Sequence, residues 1–107
     1  MEFEKIIHRA MDVRGQYEKR EQRLYGAPST SEDIAQGFAG DVNNLIKLIQ
    51  AERGQREIAN SREKLEAYLA HCLWSIVVLA KLHHVDLERS FMEAMDRLEA
   101  HLLESRE

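Results

Sequence analysis

The chain has 107 residues, a net charge of −4 with acids and bases interspersed, and one cysteine, Cys72. That length suits a single domain over residues 1–107, with a core able to form without disulfides or a structural metal. The mixed charge leaves no basic stripe to neutralise a phosphate backbone, which argues against a nucleic-acid polymer as partner, and a lone cysteine fits a reducing compartment and an inert, buried thiol.

One proline and five glycines interrupt a pattern of apolar residues at helical spacing, and four helices are expected. The N-terminal run Met1-Glu2-Phe3-Glu4-Lys5 lacks the basic start and apolar stretch of a secretory signal, so the expected location is the cytoplasm. The first helix covers about 3–24, carried by Phe3, Ile6, Ile7, Ala10, Val13 and Tyr17, and stops before Tyr25-Gly26-Ala27-Pro28. Ser29 with Glu32 offers a capping box for the second helix, which runs to about residue 53 and closes at Gly54.

Asn60 and Ser61 are good N-caps for a third helix that continues through residue 83. Its longest apolar run, 72–80, is less than half of the ~20 residues that span a bilayer, and no membrane span is expected. Asp86 caps a fourth helix built on Leu87, Phe91, Met95, Leu98 and Leu102. Short connections make neighbouring helices antiparallel, so the expected fold is an all-α antiparallel four-helix bundle. The third helix is apolar over most of its circumference, leaving a strip through Ala67, Ala70, Trp74 and Lys81 for solvent. Such a helix must be surrounded, and homodimerisation through the central helices is the natural remedy; Trp74 either joins that contact or lies flat on the surface.

Polar residues interrupt the apolar faces of the central helices. On the second, Ile34, Phe38, Leu45 and Leu48 form a stripe with Asp41 in its middle and Asn44 at its edge. A carboxylate there costs several kcal/mol unless it is hydrogen-bonded, paired or metal-bound. On the third, Tyr68, His71 and Ser75 lead into Val78 and Leu82 along one line. If the two helices form a hairpin, Asp41 and Asn44 face Tyr68 and His71, either as a satisfied network (His71 with Asp41, Tyr68 with Asn44) or as a pocket for a polar ligand or metal ion. His8, His83, His84 and His101 read as solvated helix residues.

The segment Gly37-Phe38-Ala39-Gly40-Asp41-Val42-Asn43-Asn44-Leu45-Ile46-Lys47-Leu48, with Ala51-Glu52-Arg53-Gly54-Gln55-Arg56 after it, resembles the first half of a MazG-like nucleoside triphosphate pyrophosphohydrolase. The likeness continues through Lys64-Leu65, Leu69-Ala70-His71-Cys72-Leu73-Trp74-Ser75, Val85-Asp86-Leu87 and Met95-Asp96-Arg97-Leu98-Glu99. The resemblance implies an all-α homodimer or higher oligomer that hydrolyses a (deoxy)nucleoside triphosphate to the monophosphate and pyrophosphate. It also implies Mg²⁺ or Mn²⁺ held by an E-x-x-E pair on one helix and an E-x-x-D pair on the next, because i and i+3 share a face and two pairs make a cage of hard oxygens.

Those positions fall on Asp41 and Asn44, then on Tyr68 and His71, so three of four carboxylates are replaced. The resemblance thus marks Asp41 and His71 as catalytic candidates, Asp41, Asn44 and His71 as candidate metal ligands, and Lys47, Arg56 and Tyr68 as candidate substrate contacts. Two other readings remain: a nucleotide binder without hydrolysis, and a non-catalytic homo-oligomer whose polar row is structural.

Overall fold

The computed structural model describes residues 2–104. They form four helices, α1 (Glu2–Tyr25), α2 (Ser31–Glu52), α3 (Ser61–Leu82) and α4 (Leu87–Glu104), and no strand occurs among the described residues. The all-helical class expected from the apolar periodicity is therefore the observed one.

The punctuation works mostly as read, with two shifts. α1 ends where Gly26, at φ 82°, donates its N–H to the Gln22 carbonyl at 3.0 Å. The capping box of α2 belongs to Thr30 and Asp33 instead of Ser29 and Glu32: the Asp33 N–H reaches Thr30 Oγ1 at 3.1 Å, and the Thr30 N–H reaches Asp33 Oδ2 at 2.9 Å. Ser29 is not free for that role because Glu21 accepts from both its N–H and its hydroxyl. Thr30→Ala is expected to lower stability by about 1 kcal/mol, read as a lower urea midpoint at unchanged slope; an unchanged midpoint would mean that the box adds nothing in solution.

α2 closes with a left-handed residue, Gly54 at φ 77°, while the N–H groups of Gly54 and Gln55 turn back to Ala51 and Gln50. The same closure ends α3, with His84 at φ 57° and Val85 donating to Ala80 at 2.8 Å. Asn60 departs from the expectation. It sits in the left-handed region with no side-chain cap bond, and the neighbouring Ser61 hydroxyl donates to Glu52 across the connection. Asp86 does cap α4, accepting from the Arg89 N–H at 3.1 Å.

The core gathers Ala10 of α1, Ile34 of α2 and Val77 and Val78 of α3, with Ile7, Met11, Trp74, Leu79, Leu82 and Leu87 packed against it. α3 is the central element, packed chiefly on α2 and also on α1. Trp74 accordingly corrects the solvent strip assigned to α3. It is half-buried, donates Nε1–H to the Ala10 carbonyl at 3.1 Å, and sets its ring 5.6 Å from that of Tyr17, so at Trp74 the strip meets α1, whereas Ala67, Ala70 and Lys81 are exposed as expected. α3 is also long and apolar enough, by length and composition, to cross a membrane. The 72–80 run understates this, because Leu65, Leu69 and the alanines extend the apolar stretch on either side.

Candidate functional site

A cavity of about 460 Å³ lies between α1, α2 and α3. α1 supplies Val13, Arg14, Tyr17 and Glu21; α2 supplies Asp33, Ile34, Gly37 and Asp41; α3 supplies Ala70, His71, Trp74 and Ser75. Ser29 closes one end from the connection. Its small residues make room: a Cβ added at Gly37 would meet no atom within 4 Å. Its aromatic wall is the Tyr17 and Trp74 pair, tilted at 59°.

Arg14 is the least expected member. Only 5% of it is exposed, and its Nη2 donates to the Ser29 carbonyl at 2.7 Å, while Glu18 and Glu21 stand 3.9 Å from its Nε and Nη1. Nε is buried without a hydrogen-bond partner. Glu21 in turn receives the Ser29 N–H at 2.8 Å and hydroxyl at 2.7 Å. These bonds, led by the backbone N–H and helped by the Arg14 charge, hold the Glu21 carboxyl below its ordinary value. Asp33 is lowered for a similar reason, through the N–H and then the hydroxyl of Thr30.

Of the residues singled out in the sequence, Asp41 and His71 line this cavity together, on facing helices. Tyr68 stands edge-on to His71 with ring centroids 5.6 Å apart. Asn44 is half-buried one turn beyond Asp41, outside the cavity lining. The satisfied network does not form, since no hydrogen bond among the described residues joins Asp41 to His71 or Tyr68 to Asn44. Lys47 and Arg56 are exposed and line no part of the cavity. Cys72 is buried as expected, and burial, then the nearby Asp41 carboxylate, push its thiol above the ordinary value, which keeps it unreactive.

Mg²⁺ asks for hard, charged oxygens in near-octahedral order, whereas the four motif positions present one carboxylate, one amide, one phenol and one imidazole. Among the described residues no group of three or more His, Cys, Asp or Glu side chains is placed to hold a metal ion. These residues do not fit a resident Mg²⁺.

What the arrangement can do is bind. A flat, apolar-faced molecule with polar edges matches an aromatic wall, the Asp41 carboxylate as acceptor, the buried Ser75 hydroxyl and the His71 ring. A polyanion does not match, because Glu21, Asp33 and Asp41 outnumber Arg14 around the same space. No protein-family model, curated protein or solved structure matches the chain.

Proposed function

We propose that this protein is a MazG-like nucleotide-binding protein whose cavity receives the nucleoside portion of a nucleotide, the phosphates lying outside. The observation that carries the reading is the cavity itself, of nucleoside-accommodating size, with Asp41 of α2 and His71 of α3 in its lining beside an aromatic pair. The motif-like spacing of Gly37, Asp41, Asn44, Tyr68 and His71 adds to it. An antiparallel α2–α3 hairpin is supported by three couplings of matching register: Ile34 shares a core with Val78, Asp41 raises the Cys72 thiol, and Glu52 accepts from Ser61.

In this reading a base lies against Trp74 and Tyr17, an exocyclic amino group donates to Asp41, and the triphosphate runs outward on the side of Lys47, six residues or about 9 Å further along α2. Hydrolysis to the monophosphate and pyrophosphate is the second reading, favoured by the presence of Asp41 and His71 in one cavity lining and opposed by the missing carboxylates. A cytoplasmic setting accords with the buried, free Cys72 thiol.

A panel of nucleosides and nucleoside triphosphates tests this through the ligand-induced rise in melting temperature. Gly37→Leu fills the open space at that position, so it is expected to abolish the rise while leaving the unliganded protein as stable or more so, Gly being about 1 kcal/mol worse than Ala within a helix. Lys47→Ala is expected to weaken triphosphates but not nucleosides. No rise with any member of the panel, or one untouched by Gly37→Leu, removes the cavity as the site. Pyrophosphate release with Mg²⁺ or Mn²⁺, abolished by Asp41→Ala, would establish the second reading.

A further inference from the structure

Arg14 brings a fork of N–H donors to the cavity lining and leaves most of them unused. Its Nη2 donates to the Ser29 carbonyl at 2.7 Å, and the guanidinium makes no other hydrogen bond among the described residues. Nε and Nη1 stand 3.9 Å from Glu18 and Glu21, close enough to balance charge and too far to hydrogen-bond. The buried cation therefore lacks acceptors and does not lack negative charge. What completes it is a neutral acceptor, a carbonyl oxygen or a ring nitrogen.

Asp41 is the converse. It lines the same cavity, and its carboxylate accepts no hydrogen bond among the described residues. A carboxylate offers only acceptors, so it is completed by neighbouring N–H donors.

We propose that the cavity selects guanine among the nucleobases, Arg14 donating to the O6 and N7 edge and Asp41 accepting from the N1–H and 2-amino edge. This rests on the cavity being a nucleoside site. Guanine carries paired acceptors on one edge and paired donors on another, which suit a guanidinium and a carboxylate. Adenine has an amino group where guanine has O6, so it would set donor against donor at Arg14. Uracil and thymine bring no amino group to Asp41.

Cytosine has both kinds of group on a single ring, and reach decides against it. Arg14 is tied to Ser29, just before α2, and α2 rises about 15 Å from Ser31 to Asp41. The two side chains close part of that span, and a two-ring base closes more of the remainder than one ring does. The Trp74 and Tyr17 rings share the lining and give such a base an apolar surface to stack on.

Calorimetric titration of the full chain with guanosine, inosine (no 2-amino group), 2-aminopurine riboside (no O6), adenosine and cytidine tests each edge separately. Guanosine is expected to bind tightest, by about ten-fold or more over each of the others. In Arg14→Met, guanosine and 2-aminopurine riboside should bind alike while guanosine still exceeds inosine. In Asp41→Ala, guanosine and inosine should bind alike while guanosine still exceeds 2-aminopurine riboside. Each comparison is a ratio within one protein preparation, so partial unfolding of a variant cancels, and the natural chain decides by itself where a variant does not fold. Inosine or 2-aminopurine riboside equal to guanosine on the natural chain, a preference for another base, or a ratio untouched by its own variant would overturn the choice of guanine and leave the nucleoside site standing. Failure of every nucleoside to bind would remove both.

Discussion

Trp74→Ala is expected to destabilise the protein by about 3 kcal/mol, the lower end of the range for a large aromatic removed from a core, because the residue is half-buried. The side chain does three things at once. Its ring packs against the cluster of Ala10, Ile34, Val77 and Val78, its edge meets Tyr17 at 5.6 Å, and its Nε1–H donates to Ala10 at 3.1 Å. Truncation therefore removes apolar contact, an aromatic pair and a hydrogen bond between α1 and α3. Trp74→Phe keeps the first two in part and loses the last, so its cost should be nearer 1 kcal/mol. Chemical denaturation reads both. A loss below 1 kcal/mol for the alanine variant would mean that α1 does not dock on α3 through this residue. For a domain whose net stability is on the order of 5–15 kcal/mol, a 3 kcal/mol loss is large.

That docking shows where helical periodicity stops informing. Spacing alone locates Trp74 on the strip of α3 away from the apolar rows, and the wheel says nothing about which neighbour stands over that strip. The neighbour is α1, whose own face was legible in more detail than its aliphatic residues suggest. Ile7, Ala10, Arg14, Tyr17 and Glu21 follow one another at intervals of three and four, so an arginine and a glutamate stand in line with the buried face.

The interval that places Asp41 within the α2 stripe and His71 on the inner line of α3 is likewise readable, and both do reach one cavity. That no hydrogen bond joins them is not readable, because a helical projection assigns faces and not the separation of helix axes. In the structure that separation leaves a cavity where a satisfied network was one alternative. Helix boundaries were legible to within a residue or two wherever glycine, proline or a short polar cap stood at the end. The cap of α2 moved by one residue because Ser29 is bound by Glu21, a tertiary contact that no local rule contains.

Arg14→Met should cost about 3 kcal/mol at neutral pH, and the cost should shrink in acid. Methionine replaces the buried stem with similar volume, so the loss is chiefly that of the charge and its bond. The Ser29 carbonyl loses its donor, and Glu18 and Glu21 lose the cation 3.9 Å away. Removing one member of a largely buried pair leaves the other charge uncompensated, which costs 3–5 kcal/mol when burial is complete and about the lower figure here, where Glu21 is partly exposed.

The pH dependence has a definite sign. Glu21 titrates lower in the folded chain than in the unfolded one, so its stabilising contribution is present above the unfolded value and is lost as pH falls through the folded value. Part of that depression comes from Arg14 and vanishes in the variant, while the larger part, from the Ser29 N–H and hydroxyl, stays. Wild type and variant should consequently converge in stability as Glu21 becomes protonated, without becoming equal, since the Ser29 carbonyl still lacks its donor in the variant. Urea titrations at neutral pH and below the carboxylate range measure both quantities. A difference under 1 kcal/mol at neutral pH, or one that stays constant into acid, would mean that the buried guanidinium does not hold the α1–α2 connection in place.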